Sequence, residues 1–341
     1  MNKKFKIAIN GFGRIGRAIT KIQLNKNEFD IVLINDINPQ LNNLAYLLKY
    51  DSTYGNINKD IKVKKNKLFL DNKEIQVTSF NSITNLDLKK YNVDILVDCS
   101  GVKFKKSEYL KLIKKEKIKN IIITHSSNES QIEIIMGLND HKIQKKHKII
   151  SSSICDANAI SHVINFVENN YKIVSGSVTT LHPWLSYQNL IDGSSTSVSN
   201  PSLIWDDYAL GRASANNIIP KNTTAVTAVE KVLPKIRKKL VSFSYRTPTD
   251  IVCSSDLTFF VERKTKLNEL KKNLTSYFKD TNYFHINNES LVSVDYKKME
   301  QSFSIDMKWI KVNNNIIKVV LWYDNEWGFA NRVFDLIKKL N

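Results

Sequence analysis

The glycine-rich turn near the start of the chain restricts the fold more than any other feature. An apolar stretch at residues 6–10 precedes the sequence GFGRIG at residues 11–16, and apolar residues then recur at helical spacing as far as Ile22. A second apolar stretch, DIVLIND, follows and ends at Asp36. This order of strand, turn, helix and strand predicts the first unit of a dinucleotide-binding domain.

Each glycine of the turn meets a different requirement of dinucleotide binding. Gly11 permits the tight turn, Gly13 lets the backbone approach a pyrophosphate, and Gly16 lets the helix pack closely on the strand. The helix N-terminus supplies unpaired N–H donors for the pyrophosphate, and Asp36 can accept a hydrogen bond from a ribose hydroxyl. Because the Asp36 carboxylate would repel a 2′-phosphate, NAD is favoured over NADP. A plain βα turn is the alternative interpretation. The predicted cofactor-binding residues of this unit are Gly11, Phe12, Gly13, Arg14, Ile15, Gly16 and Asp36.

The rest of the chain changes character about halfway along. A length of 341 residues indicates two domains of roughly 150 residues each. Further α/β units follow the first one, and a helix begins near Cys155. From about residue 171 the pattern is rich in β-strands with period-two stretches, which indicates a sheet that packs one face. Residues 183–211 have little periodicity, and such a long segment is usually functional or lies at an interface.

Composition places the chain among globular proteins. It is 42% hydrophobic and 25% charged, and no apolar run reaches the ~18 residues that span a membrane. The apolar part of the N-terminus is too short for a signal peptide. The three cysteines, at positions 99, 155 and 253, form neither a disulfide framework nor a metal-ligand cluster. We therefore expect a reduced, cytoplasmic protein with no metal and no membrane partner.

The formal net charge of +18 raises the question of nucleic-acid binding. Only seven of the 51 basic residues are arginine, the side chain best suited to bidentate phosphate and base contacts. The lysines are scattered over what look like outer helix faces. The sequence therefore argues against a specific nucleic-acid function, although nonspecific attraction to polyanions is expected at low salt.

Cys155 is the candidate nucleophile because it follows an apparent strand and begins a helix, where the helix dipole stabilises a thiolate. A nucleophilic cysteine also needs a base. His162 is seven residues further along the same helix, roughly 10 Å away along its axis, and is out of reach. His182, at the end of a predicted strand, is the better candidate. Taken alone, the two residues fit an inert buried cysteine and a surface histidine better than a reacting pair.

Several long motifs extend these observations over nearly the whole chain. Together with the nucleotide turn and the Cys155–His182 order, they make the chain resemble the glyceraldehyde-3-phosphate dehydrogenase family. The matching stretches are KIAINGFGRIGR, LLKYDSTYG, VDILVDCSG, TTLHPW, IDGSS, GRASANNIIP, AVEKVLP, YRTPT, SSDLT and WYDNEWGFANRV.

The resemblance implies a fold that combines α/β and α+β parts. A Rossmann NAD-binding domain, residues 1–154 completed by the C-terminal helix 328–341, would join a mixed-sheet catalytic and oligomerisation domain, residues 155–327, in a homotetramer. Cys155 would attack a phosphorylated aldehyde, and His182 would take the hydroxyl proton as hydride leaves for NAD. The resemblance implies additional cofactor contacts at Thr124 and Asn325, the latter on the nicotinamide carboxamide, and substrate contacts at Thr223 and Arg246.

The sequence departs from the family pattern around the nucleophile. The family usually has serine and threonine where this chain has Ile154 and Asp156, and those hydroxyls help to bind the inorganic phosphate that releases the acyl group. A carboxylate repels phosphate and isoleucine offers it no donor. Further phosphate-site departures are Leu185, Leu210 and Thr224. Lys221 could restore charge near the acceptor site, and Arg246 and Arg212 are retained.

Three interpretations therefore remain open from the sequence. The first is a phosphorylating glyceraldehyde-3-phosphate dehydrogenase with an altered acceptor site. The second keeps the hydride chemistry but uses another phosphosugar, or water as the acyl acceptor, with Asp156 placed to position that water. The third is a weakly active paralogue that binds the cofactor and acts through protein or polyanion contacts.

Overall fold

A computed structural model describes residues 4–196, 207–279 and 281–340 of the chain. By their internal contacts these residues divide into two units. Residues up to Ile134, Asn139–Ser153 and the residues from Ala330 form the first unit, and Ile135–Leu138 and Ile154–Phe329 form the second. Of the long segment predicted at 183–211, residues 197–206 lie outside the described residues, as do residues 1–3 and 341 of the predicted domain limits.

The first unit is built on a nine-stranded sheet with the strand order β3-β4-β5-β2-β1-β6-β7-β9-β8. The last seven strands in this order, from β5 at one end to β8 at the other, all pair in parallel. Strands β3 and β4 add an antiparallel edge next to β5. Its elements are β1 (Lys6–Asn10), α1 (Arg14–Lys26), β2 (Asp30–Asn35), α2 (Leu41–Lys49), β3 (Ile61–Lys64), β4 (Lys67–Leu70), β5 (Lys73–Thr78), β6 (Ile95–Asp98), α3 (Lys106–Glu116), β7 (Asn120–Ile123), β8 (Ile132–Glu133) and β9 (Ile149–Ser151).

The central strands of this sheet are apolar along their whole length. All four residues of β6 are buried, and so are the last three of β7. Continuous burial of this kind is expected where helices cover both faces of a parallel sheet. The predicted Rossmann arrangement is confirmed.

The second unit is built on an eight-stranded mixed sheet with the order β11-β12-β10-β13-β17-β15-β14, and β16 also pairs with β17. Its elements are α4 (Cys155–Tyr171), β10 (Ile173–Pro183), β11 (Ile219–Lys221), α5 (Ala225–Val232), β12 (Leu240–Thr247), β13 (Cys253–Val261), α6 (Leu267–Phe278), β14 (Phe284–Asn287), β15 (Phe303–Asp306), β16 (Lys311–Asn313), β17 (Ile316–Tyr323) and α7 (Trp327–Lys339), whose residues from Ala330 belong to the first unit. The predicted mixed sheet is confirmed.

The two faces of the mixed sheet differ in exposure. On one face, residues of β10, β13 and β17 pack with α4 and α5 in a single apolar cluster. On the other face, large apolar side chains are exposed on three neighbouring strands, and their register places them on the same side. These exposed residues are Leu181, Val241, Phe243 and Phe260.

Within the described part of the chain, no helix has both the length and the hydropathy needed to cross a membrane.

The turn at Gly11 provides a test of local steric constraint. Gly11 has φ of +89°, and a Cβ there would lie 2.6 Å from the Ser100 backbone, whereas Gly55 has φ of +79° and no atom within 4 Å of an added Cβ. We expect each alanine substitution to cost about 1–2 kcal/mol through the left-handed backbone, and Gly11→Ala to cost about 1–3 kcal/mol more through the clash. Urea unfolding of the two variants without cofactor measures the difference, and equal losses would contradict this account.

Candidate active site

The glycine turn forms a cradle at the carboxyl end of β1. The Gly11 N–H donates to the Asn35 carbonyl at 2.7 Å, and the Phe12 N–H donates to Asp36 Oδ2 at 2.6 Å. A Cβ at Gly16 would collide with the Gly11 carbonyl oxygen, so only glycine allows α1 to pack this closely. A Cβ at Gly13 would meet no atom within 4 Å. The cradle is therefore tight against the strand and open beside Gly13.

The N-terminus of α1 is suited to an anion. Its N-cap is Gly13, which has no side chain to cap the first-turn N–H groups, and the first turn contains no acidic residue. Such amides carry a partial positive charge and bind phosphate groups. Asp36 is half-buried, and its Oδ1 accepts from the Asn38 N–H at 2.9 Å. Its carboxylate retains lone pairs for a ribose hydroxyl. These residues fit the pyrophosphate and ribose of NAD.

Two other predicted cofactor residues have side chains that are already engaged. Arg14 Nη1 pairs with Asp51 Oδ1 at 3.0 Å, and its guanidinium lies 5.3 Å from the centre of the Tyr54 ring. The Thr124 hydroxyl donates to the Asp98 carbonyl at 3.0 Å. These bonds give both side chains a structural role in the first unit. Their contribution to cofactor binding stays a prediction.

Asn325 lies in the second unit, between β17 and α7, and is 5% exposed. Its Oδ1 accepts from the Val252 N–H at 3.2 Å. Among the described residues its Nδ2 has no hydrogen-bond partner, so the amide keeps two N–H groups for a ligand. The role predicted for Asn325 on the nicotinamide remains a prediction.

Cys155 and His182 lie close together in the second unit. Cys155 is the first residue of α4, His182 is near the end of β10, and Sγ lies 4.0 Å from Nε2. His182 Nδ1 lies 2.8 Å from the carbonyl of Pro183. Because a carbonyl only accepts, Nδ1 carries the proton and Nε2 presents its lone pair. The arrangement suits proton transfer between the sulfur and the imidazole.

Burial makes both members of this pair neutral near pH 7. It raises the pKa of the Cys155 thiol well above its ordinary value, and the Asp156 carboxylate raises it further. Burial, reinforced by the charge of Arg246, lowers the pKa of His182 to about 4. The thiolate stabilisation expected from the helix N-terminus is outweighed by burial and by Asp156. The resting pair is therefore a thiol and an uncharged imidazole.

A tyrosine at the end of β17 holds Asp156 in place. The residue is 6% exposed, and its Oδ1 lies 3.5 Å from Cys155 Sγ. The Tyr323 hydroxyl donates to the same oxygen at 2.8 Å, and it lies 3.1 Å from the Ser255 hydroxyl. Burial raises the pKa of Tyr323, which keeps it a donor. Sequence reasoning did not identify Tyr323 or Ser255, although both lie within motifs that the resemblance used.

Arg246 lies beside His182 because β10 and β12 pair in parallel with these two residues in register. The side chain is 8% exposed, and its Nη2 donates to the Tyr187 hydroxyl at 3.1 Å. Its Nε is buried and has no hydrogen-bond partner among the described residues. A buried cation with an unsatisfied N–H is a binding group for an anion.

Four other residues named for the phosphate sites lie in environments that differ from that of Arg246. Thr223 Oγ1 accepts from the Ala225 N–H at 3.2 Å, which uses one of its lone pairs at the start of α5. Arg212 forms an exposed ion pair with Asp192 at 2.8 Å, so its charge is shared at the surface. Burial, followed by the charge of Arg246, lowers the pKa of Lys221. Leu210 is buried and contributes no donor.

His162 has a structural environment. It is 2% exposed, its Nε2 lies 3.1 Å from the Met136 carbonyl, and its ring packs edge-on against Phe284. These contacts occupy the imidazole within the core of the second unit.

Comparisons with known proteins match both the N-terminal and the C-terminal part of the chain to one family. The family model described as glyceraldehyde 3-phosphate dehydrogenase, NAD binding domain, matches residues 5–106, and the one described as glyceraldehyde 3-phosphate dehydrogenase, C-terminal domain, matches residues 154–325. The glyceraldehyde-3-phosphate dehydrogenase of Buchnera aphidicola subsp. Schizaphis graminum is 33% identical over 98% of both chains. The cytosolic enzyme of Sinapis alba is 33% identical over 98% of both chains. The chloroplastic A enzyme of Chlamydomonas reinhardtii is 34% identical over 98% of this chain and 88% of its own.

The neutral state of Cys155 predicts slow alkylation that Asp156 suppresses further. In Asp156→Asn, loss of the like charge should lower the pKa of the thiol, and each unit raises the thiolate fraction at pH 7 about tenfold. The measurement is the rate of iodoacetamide labelling of the Cys155 peptide as a function of pH, followed by mass spectrometry. Asp256→Asn is the control, because Asp256 pairs with Lys318 instead. A wild-type rate that is already maximal below pH 7, or slower labelling of Asp156→Asn, would contradict the prediction.

Proposed function

The chain belongs to the glyceraldehyde-3-phosphate dehydrogenase family, and from this premise we propose that Cys155 and His182 are its reacting pair. Its activity is the NAD-dependent oxidation of glyceraldehyde 3-phosphate. The observation that carries the assignment of the pair is the 4.0 Å approach of Cys155 Sγ to His182 Nε2, with the Nε2 lone pair available.

The two side chains divide the chemistry between them. Cys155 Sγ attacks the aldehyde carbon, and its proton passes through His182 to the oxygen, which gives a thiohemiacetal. Bound NAD would supply the hydride acceptor for that carbon. His182 Nε2 takes the hydroxyl proton in the same step, and a thioester remains on Cys155. The imidazolium that forms is stabilised by the Asp156 carboxylate and opposed by Arg246.

We propose Arg246 as the residue that holds the phosphate of the substrate. Its guanidinium is buried beside His182, and its unpartnered Nε is a donor that a phosphate oxygen satisfies. Thr223, at the start of α5, is the proposed second contact. On the cofactor side we assign the pyrophosphate to the Gly11–Gly16 turn and the ribose to Asp36, and we keep Thr124 and Asn325 as predicted contacts.

The domain roles follow as proposals. We assign NAD binding to residues 1–154 with 328–341, and catalysis and oligomerisation to residues 155–327. The exposed apolar residues on the open face of the mixed sheet support a homo-oligomeric surface, since monomers rarely leave such a patch uncovered. We propose a homotetramer.

A cytoplasmic location and a role in glycolysis complete the proposal. The Sinapis alba relative is named cytosolic, whereas the Chlamydomonas reinhardtii relative is named chloroplastic. The expectation from cysteine usage favours the cytoplasm for this chain.

A second candidate reaction differs in the acyl acceptor. The Asp156 carboxylate oxygen lies 3.5 Å from Cys155 Sγ, where it repels an incoming phosphate. The same oxygen can accept a hydrogen bond from water directed at the thioester. Hydrolysis to the free acid is therefore the alternative to phosphorolysis at this site.

A substrate panel tests the proposed function. Glyceraldehyde 3-phosphate and NAD should give NADH, and Cys155→Ala should abolish its formation. Arg246→Met should raise KM for glyceraldehyde 3-phosphate about tenfold to hundredfold, because each charged hydrogen bond contributes about 1.5–3 kcal/mol. KM for unphosphorylated glyceraldehyde should barely change. Arg263→Met, which removes an exposed arginine, is the matched control.

The same assay separates the alternatives. NADH formation that needs phosphate or arsenate supports phosphorolysis, whereas a sustained rate without either supports hydrolysis. If neither aldehyde gives NADH that depends on Cys155, the assignment of the reacting pair is wrong and a noncatalytic paralogue is supported.

The proposed oligomer makes its own prediction. Phe243→Glu places a charge in the exposed apolar face of the sheet and should lower the molar mass measured by light scattering after gel filtration. Leu110→Glu is the matched control, since Leu110 on α3 is similarly exposed, at 42% against 40% for Phe243. A monomeric wild type, or equal dissociation of both variants, would contradict the assignment of this face.

A further inference from the structure

Three possible metal ligands of different chemical types meet at the reactive cysteine. We propose that Cys155, Asp156 and His182 form a binding site for a zinc-class divalent transition metal ion. Among the described residues, one donor atom from each lies within 4.8 Å of the other two. The spacing of the cysteines did not suggest this site, because its third ligand comes from β10, 27 residues away from Cys155.

The two distances from the Cys155 sulfur to the other donors are close to those of a tetrahedral zinc site. Bond lengths of about 2.0–2.3 Å place tetrahedral ligand atoms roughly 3.3–3.6 Å apart. Here Cys155 Sγ lies 3.5 Å from Asp156 Oδ1 and 4.0 Å from His182 Nε2. The donor atoms of Asp156 and His182 lie within 4.8 Å of each other, so the imidazole has to move toward both partners to bring all three donors onto one ion.

Outer hydrogen bonds already orient two of the three ligands. The bond from His182 Nδ1 to the Pro183 carbonyl directs the Nε2 lone pair toward the sulfur. The Tyr323 hydroxyl fixes the Asp156 carboxylate. Partners of this kind set the tautomer and the ring orientation in known metal sites, so the geometry does not have to be created by the ion.

The donor types select the metal. A thiolate and an imidazole suit Zn²⁺ and similar ions, and hard cations such as Ca²⁺ and Mg²⁺ prefer oxygen ligands. Three protein ligands leave a fourth position for water. Cys155 is partly exposed, which gives an ion access.

Charge balance requires the cysteine to ionise on binding. The sulfur–metal bond replaces the S–H bond, and the thiol proton leaves to solvent. The thiolate and the Asp156 carboxylate then neutralise the two positive charges. Arg246 and Lys221 act electrostatically on the site and oppose the cation, so the second anionic ligand is essential. With a neutral residue at position 156, the Cys155 thiolate would be the only anionic ligand. Its single negative charge would then have to offset the charge of the ion beside the positive charge of Arg246.

The consequence for activity rests on the proposed function, whereas the binding does not. A metal ion bound here coordinates the sulfur lone pair that would attack the aldehyde. It also coordinates the nitrogen lone pair that would accept the proton. Zn²⁺ should therefore inhibit NADH formation, and a chelator should restore it.

The test is a Co²⁺ titration of the full chain without NAD or aldehyde. We expect one equivalent to produce a thiolate-to-cobalt charge-transfer band and the intense visible bands of a tetrahedral ion. Cys155→Ser should abolish the charge-transfer band. Asp156→Asn and His182→Gln should weaken binding at least tenfold, as judged by competition with a chromophoric chelator. Asp156→Asn keeps an oxygen that accepts from Tyr323, and circular dichroism checks that each variant folds.

Asp256→Asn is the matched control and should bind Co²⁺ like the wild type. The proposal is overturned if no charge-transfer band appears, if the band survives Cys155→Ser, or if Asp256→Asn weakens binding as much as Asp156→Asn. NADH formation measured in the presence of a chelator reports the dehydrogenase separately, so failure of the metal site and failure of the proposed function can be distinguished.

Discussion

The parallel register of β10 with β12 is the constraint on which the site depends. It sets His182 opposite Arg246, and the antiparallel register of β13 with β17 sets Cys253 opposite Tyr323 at the same end of the sheet. Because side chains alternate between faces, a slip of one residue in either pairing would turn its functional side chains to the opposite face. The long strands whose pairing fixes the register therefore also position the chemistry.

Arg246 on β12 and Asp156 on α4 bring opposite charges into a poorly solvated space. Arg246 and Asp156 act in opposite directions on the pKa of both Cys155 and His182. A buried charge is tolerated when it has partners. Asp156 has such a partner in Tyr323, while one nitrogen of Arg246 has none. The unpartnered nitrogen therefore marks Arg246 as the charge that can receive an anion.

The sequence predicted the parts of the molecule that depend on local pattern. The strand, turn and helix around Gly11 and the start of α4 at Cys155 follow from spacing alone, since their signals lie within a few residues. The approach of Cys155 to His182 needed the family resemblance as well. The bond between Tyr323 and Asp156 could not be predicted, because it joins residues 167 positions apart through sheet pairing. Helix α2 and the β3–β4 edge were not predicted because their segments are short, at nine, four and four residues, and give little periodic signal.

The protonated state of the Cys155 sulfur also affects how the protein responds to oxidants. Peroxide attacks a thiolate and converts it to sulfenic acid, and a thiol that remains protonated reacts slowly. Burial together with the carboxylate of Asp156 keeps this sulfur protonated. We therefore expect peroxide to oxidise this sulfur more slowly than it oxidises a cysteine held as the thiolate.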